Sequence, residues 1–177
     1  MDKKFRFSTT FPLAATMLAM ASCQEPPKYP DGLSVEESLK KFELVEGFAI
    51  EPFATEPHVQ SPVDMVIDEN GGIYVVEMAD YPWQADTLNP RGIIKFLKDT
   101  DGDGKIDADF VFADGLPSAT SVMPWKGGII VAAAPNIYYL KDTTGDHKAD
   151  IKETLFTGFF DRNSEAQITS FRFGVDN

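Results

Sequence analysis

The sequence contains a single cysteine, Cys23, and this scarcity excludes several kinds of site. One cysteine permits no internal disulfide, no cysteine-rich metal centre and no CxxCH motif for attaching a c-type haem. Basic residues are also few, since 16 Lys and Arg stand against 28 Asp and Glu, for a net charge of -12. An acidic protein of this kind repels phosphate backbones. We therefore expect no nucleic-acid partner.

Motifs that would identify a catalytic centre are also lacking. There are only two histidines: His58 lies in a loop and His147 in an acidic turn. The sequence has no glycine-rich phosphate loop, no HExxH and no recognisable Ser/His/Asp arrangement. Catalytic and cofactor-binding residues are therefore unknown from motifs alone.

The first 22 residues have the features of an export signal. Three basic residues precede a short apolar stretch at 11–20, which is too short to span a bilayer as a helix. Residues 18–23 (LAMASC) resemble the bacterial lipobox, in which the cysteine is acylated. This predicts lipidation at Cys23 and anchoring in a membrane, and Gln24 favours the outer membrane, with the protein facing the periplasm. The alternative is a plain secretory signal with a chance cysteine.

Residues 23–42 are predicted to be a tether followed by a short helix. Pro26, Pro27 and Pro30 favour a stiff, extended spacer. Val35, Leu39 and Phe42 would then lie on one face of a helix. The remaining residues, 43–177, form the predicted globular part.

An internal repeat organises residues 43–177. Residues 97–103 (LKDTDGD) recur as 140–146 (LKDTTGD) after about 43 residues, within the range of four-stranded propeller repeats. A Gly-Gly turn leads into an apolar strand before each copy, at 71–76 and 127–132. The sequence thus predicts an all-β chain, and a small β-sandwich with similar hairpins is the alternative.

The repeat predicts a partial β-propeller of about two four-stranded blades plus the first strand of a third, at 169–177. The eight predicted blade strands are 63–68, 72–77, 92–98, 109–113, 120–124, 128–133, 136–141 and 153–157. Propellers usually need at least four blades, and two blades leave open sheet edges. We therefore expect a fragment, or a chain that a partner completes.

The first acidic loop, residues 99–107, begins like a calcium-binding loop. Asp99, Asp101 and Asp103 are its first, third and fifth residues, and a glycine follows at the sixth. Phe110 stands where a calcium loop usually has a bidentate Glu, but Asp107 is near. The predicted metal ligands are Asp99, Asp101, Asp103 and Asp107, with calcium as the ion. The alternative is a tight Asp/Gly turn that binds nothing.

Three segments carry a resemblance to a known family. Residues 48–54 (FAIEPFA), 61–78 (SPVDMVIDENGGIYVVEM) and 131–142 (VAAAPNIYYLKD) resemble the start of the PVC-type haem-binding, membrane-bound dehydrogenase propellers. These are similar in turn to glucose/sorbosone dehydrogenase propellers. The resemblance covers about residues 43–177.

The resemblance implies a sugar- or alcohol-oxidising propeller that passes electrons to a haem domain in a full-length parent. Relatives use pyrroloquinoline quinone, but their first blade continues from Glu into Arg-Gly. Here Glu77 is followed by Met78, Ala79 and Asp80, which argues against quinone binding. For this chain alone we expect no turnover. The alternative function is a surface lipoprotein that binds carbohydrate or protein and is stabilised by calcium.

Overall fold

The computed structural model describes residues 32–83 and 88–175. The predicted signal peptide, the lipidation site Cys23 and most of the tether lie outside these residues. The chain begins there with one short helix, α1 (Val35–Leu39), inside the predicted helical segment. No helix in the described part of the chain is long and apolar enough to cross a membrane.

Eight strands follow, and they form two four-stranded antiparallel sheets. The strands are β1 (Pro62–Ile67), β2 (Ile73–Glu77), β3 (Gly92–Lys98), β4 (Ala108–Leu116), β5 (Ala119–Trp125), β6 (Gly128–Ala133), β7 (Asn136–Lys141) and β8 (Ile151–Thr157). Sheet 1 has the order β1-β2-β3-β4, and sheet 2 has the order β5-β6-β7-β8. The predicted all-β class and the two four-stranded units are therefore confirmed, whereas closure into a propeller remains a prediction.

The two sheets repeat one another residue by residue. In sheet 1, Ile73 pairs with Leu97, and in sheet 2, Ile129 pairs with Leu140 at the same place. Each sheet is a simple meander in which every strand pairs with the next along the chain. Propeller blades are four-stranded meanders of this kind, and we call sheets 1 and 2 the two repeat units.

The main core lies between the sheets. Sheet 1 contributes the buried side chains of Val76, Ile94 and Phe112, and sheet 2 contributes those of Ile129 and Leu140. Tyr74 packs edge-on against Phe112 in this layer, with the ring centroids 5.0 Å apart. Burial of this apolar layer is the main force that holds the sheets together, since each buried large side chain contributes about 1.5–3 kcal/mol.

The predicted first strand of a third unit does not form among the described residues 169–175. Phe173 is 60% exposed. A strand is stabilised by hydrogen bonds and side-chain pairs with a neighbouring strand. No such neighbour is paired with this segment in the described part of the chain.

Candidate functional site

The first acidic loop brings three of its four predicted metal ligands together. Carboxylate oxygens of Asp99, Asp101 and Asp107 all lie within 4.8 Å of one another. Asp103 is not a member of this group, and its Oδ1 accepts a hydrogen bond from the backbone amide of Lys105 at 2.8 Å. The three grouped residues are the only such cluster found in the described ranges.

Hydrogen bonds within the loop hold two of these carboxylates in place. The hydroxyl and backbone amide of Thr100 donate to Asp107 Oδ2 at 2.6 and 2.7 Å, and they lower the pKa of Asp107. Asp99 accepts hydrogen bonds from the amides of Gly102 and Gly104. Carboxylate oxygens suit a hard cation such as calcium. Calcium binding at this loop stays a prediction.

The second acidic loop, residues 142–150, acts as a clasp between the sheets. Its His147 ring stacks on Phe96 of β3, with centroids 4.9 Å apart, and it also contacts Phe110 of β4. The amide of Ala149 donates to the carbonyl of Phe112 at 2.8 Å. The sequence places His147 only in an acidic turn, because nothing local indicates which aromatic rings it will contact.

The side chain of Tyr74 lies beneath this loop, and its pKa is raised. Burial raises the pKa of Tyr74 to about 12, and the carboxylates of Asp68, Asp142 and Glu69 contribute to the rise. The phenol is therefore neutral at physiological pH. It can pack and donate a hydrogen bond there, but it cannot serve as a base.

Met78 and Ala79 stand where the family has Arg-Gly, and the acids on either side of them are structural acceptors. Glu77 is 6% exposed and accepts a hydrogen bond from the amide of Gln60 at 2.7 Å. Asp80 is also 6% exposed and lies within 3.3–3.4 Å of the amides of Arg91 and Ser118. Both carboxylates thus hold loop backbone in place at this end of the sheets.

His58 belongs to an ion-pair cluster that the sequence did not indicate. Its Nδ1 lies 2.8 Å from Asp109 Oδ1, and Lys95 Nζ lies 2.6 Å from Asp109 Oδ2. Asp109 is therefore engaged by two basic groups and does not join the calcium candidate. The cluster ties the loop before β1 to strands β3 and β4 of sheet 1.

We expect the Asp109→Asn variant to be about 1–3 kcal/mol less stable than the wild type at neutral pH, since hydrogen bonds to charged groups are lost. Hydrogen bonds from Lys95 and then His58 lower the pKa of Asp109 below its ordinary 3.8. The folded state therefore holds this proton less tightly than the unfolded state. The stabilisation is present above that ordinary value and disappears as the pH falls through the lowered folded-state pKa.

Urea denaturation of the wild type and of Asp109→Asn at a series of pH values measures this difference. The two curves should converge in acid. A stability gap that stays constant down to the lowest pH would show that the ion pair does not carry it. Asp114→Asn, an exposed carboxylate on the same strand, is the matched control.

Comparisons with known proteins identify the family. A model of a domain of unknown function, DUF7133, matches residues 34–177. None of the curated proteins matches the sequence.

Two solved structures are similar to part of the chain. One is the holo form of the pyranose dehydrogenase PQQ domain from Coprinopsis cinerea, with 18% identity and a TM-score of 0.44 over 58% of this chain and 22% of that one. The other is the iodide structure of a Trichoderma reesei protein of carbohydrate-active enzyme family AA12, with 16% identity and a TM-score of 0.43 over 60% and 25%. The chain thus spans about a quarter of the length of each. The family match covers most of the sequence, and the chain belongs to the DUF7133 family.

Proposed function

We propose that this chain supplies the first two blades of an exported, lipid-anchored propeller of the membrane-bound sugar or alcohol dehydrogenase kind. The observation that carries the proposal is the repeated blade: sheets 1 and 2 share strand order and register. The dehydrogenase class rests on the resemblance of residues 48–54 and 61–78. In this role the two blades act as scaffold and do not form a complete active site.

The residues present do not fit pyrroloquinoline quinone, the cofactor that the resemblance implies. The quinone carries several carboxylates, so its site needs cationic or hydrogen-donating side chains. At the corresponding strand end, Met78 and Ala79 stand where relatives have Arg-Gly, so the cationic side chain is missing. The buried carboxylate of Asp80 already accepts backbone amides there and would repel an anion at close range, because charges interact more strongly when water is excluded. No catalytic step is therefore assigned through the quinone.

A dye-reduction assay tests this scaffold role. The purified 177-residue chain, given a panel of sugars and small alcohols with and without added quinone, should reduce no dye. Substrate-dependent reduction would show that the two blades hold a working site. Sequencing the transcript past codon 177 tests the class, because further Gly-Gly blades followed by CxxCH support a redox protein, and a stop codon favours a binding protein.

Anchoring is proposed through Cys23. Acyl chains contribute about 0.8 kcal/mol for each buried CH₂, so several chains on one cysteine give stable attachment. In cells fed an alkyne analogue of palmitate, the wild-type protein should be labelled and found with the outer membrane, and Cys23→Ser should be unlabelled. Equal labelling of both proteins would contradict lipidation at this residue.

A second candidate function, a calcium-stabilised binding module for carbohydrate or protein, is favoured by the grouping of Asp99, Asp101 and Asp107. If the loop binds calcium, the ion should raise the melting temperature by mass action, with about 2.7 kcal/mol gained at a hundred times the Kd. Asp101→Ala should abolish the shift, and Asp114→Ala should leave it unchanged. A shift of the same size in Asp101→Ala would place the calcium elsewhere.

A further inference from the structure

A cleft opens between sheets 1 and 2 at the end that carries their Gly-Gly turns. Its volume is about 320 Å³, and its walls come from both Gly-Gly turns, the end of β3 and the second acidic loop. Glycines at 71–72 and 127–128 form part of the rim, so few side chains stand in the opening. Pockets for small ligands begin at about 300 Å³. The cleft lies at the opposite end of β2 from Glu77 and is separate from the buried acids there.

Three aromatic rings form the inner wall of this cleft. The ring centroids of Tyr74 and Phe96 are 4.9 Å apart, and the imidazole of His147 stacks on Phe96 at the same distance. His147 has a left-handed backbone, with φ 63°, where the first acidic loop has Gly104 with φ 82°. The second loop thus adds an imidazole that the first loop lacks. Tyr and Phe rings at the border of a cavity favour an organic cation, because their faces carry partial negative charge.

Carboxylates lie on both sides of the aromatic wall. The acids that line the cleft are Asp68, Glu69, Asp99 and Asp142, and the lining also includes one lysine, Lys98. The charges of three of them reach the inner wall: after burial, Asp68, Asp142 and Glu69 are what raise the pKa of Tyr74. The cleft is therefore negative as well as aromatic, and both properties attract a cation.

These carboxylates do not gather around a single point, as a metal ion requires. In the described part of the chain, three carboxylates with oxygens within 4.8 Å of one another are found at Asp99, Asp101 and Asp107, and neither Asp68 nor Asp142 belongs to such a group. A larger cation with several donors can reach acids on both sides of the cleft. Guanidinium has this form, because its N–H donors spread in one plane and the plane itself stacks on aromatic rings.

Two oxygen atoms of the lining residues remain open to such a donor. Asp68 Oδ1 accepts the amides of Asn70 and Gly72, each at 2.8 Å, whereas its Oδ2 accepts no hydrogen bond from a described residue. The hydroxyl of Tyr74 makes none with the described residues either, since this side chain is held by ring contacts. Both oxygens can accept an N–H from a bound cation.

We propose that this cleft binds a guanidinium group, with Asp68 and Asp142 on its two sides and the rings of Tyr74 and Phe96 behind it. The group can belong to a small free molecule or to an arginine side chain of a peptide, since both present the same donors. Binding here goes beyond the proposed redox role and requires neither quinone nor calcium. Asp99 also belongs to the calcium candidate, so the test is made with EDTA present.

NMR titration of the ¹⁵N-labelled 177-residue chain with N-acetyl-argininamide tests the proposal. The amide signals of Gly72, Gly128 and His147 should shift and saturate. N-acetyl-citrullinamide, in which a neutral urea replaces the guanidinium, is the matched ligand control and should bind at least about tenfold more weakly. An acetylated peptide with one arginine among four glycines separates the two sources: tighter binding than the small amide indicates a peptide, and equal binding indicates a small molecule.

Variants of the cleft complete the test. Asp68→Asn keeps an oxygen for the amides of Asn70 and Gly72 but loses the charge, and it should weaken binding by about tenfold. Glu69→Gln, at an exposed position, is a second variant in case the first fails to fold, and Asp114→Asn is the control that should bind as the wild type does. Equal affinity for the arginine and citrulline amides, or no saturable shift with either arginine probe, would overturn the proposal. Saturable shifts that both cleft variants leave unchanged would overturn it too.

Discussion

We expect Val122→Asp to unfold the domain or to lower its free energy of unfolding by about 4 kcal/mol or more. That is a large share of the ~5–15 kcal/mol by which a typical domain is stable. Val122 is 4% exposed and lies in the core between the sheets. The charge of an aspartate at this position would be buried away from water. The side chain would therefore have to be protonated, or the interface between the sheets would have to open. The urea midpoint, followed by circular dichroism, measures the loss.

Met65→Asp is the matched control for this prediction. Met65 pairs with Val75 as Val122 pairs with Val131, so the change is made at the same repeat position, but Met65 is 55% exposed. We expect its stability to stay within about 0.5 kcal/mol of the wild type, as for most surface substitutions. Equal losses in the two variants would contradict the packing of sheet 2 on sheet 1. If Val122→Asp does not accumulate as folded protein, Val122→Ala gives a smaller loss that can be measured.

Phe112→Ala is expected to cost about 3–5 kcal/mol, the usual range for a buried Phe reduced to Ala. Phe112 is 2% exposed, and its ring packs edge-on against Tyr74 in the core between the sheets. The substitution leaves a cavity. Because β3 and β4 are held in place by their hydrogen bonds, they cannot move inwards to fill it. Thermal and urea denaturation of wild type and variant measure the cost.

Phe156→Ala provides the control, since it removes the same atoms from the outer strand of the other sheet. Phe156 is 62% exposed, so its truncation should change stability by less than about 1 kcal/mol, because little buried apolar surface is lost. A larger loss for Phe156→Ala than for Phe112→Ala would mean that sheet 2 buries the opposite face. The pair therefore tests which side of each blade faces its neighbour.

The strands were predictable because their signals are local. Each Gly-Gly turn precedes an apolar strand, and each Asp-rich turn separates the third strand from the fourth. These turns need left-handed backbone, as at Gly71 (φ 82°) and Gly102 (φ 78°), which glycine adopts readily. Repetition of the signals made the two four-stranded units readable from the sequence.

Contacts between the repeats were not predictable in the same way. The calcium candidate was predicted from spacing alone, and spacing did not reveal that Asp103, unlike the other three predicted ligands, would lie outside the group. The role of His58 depends on Asp109, which lies 51 residues later. The strand expected at 169–177 does not form among the described residues 169–175, because a strand depends on a partner that its own sequence does not contain.

The sequence by itself determined the all-β class, the two repeat units and the acidic loops, because alternating apolar residues and turn-forming Asp and Gly act within a few residues. Only the tertiary structure decided which face of each sheet is buried, that His147 clasps the sheets, and that the amide of Ile106 donates to the carbonyl of Phe53. These features depend on contacts between segments that are far apart in the sequence. The packing of whole sheets decides such contacts, and no short stretch of sequence specifies them.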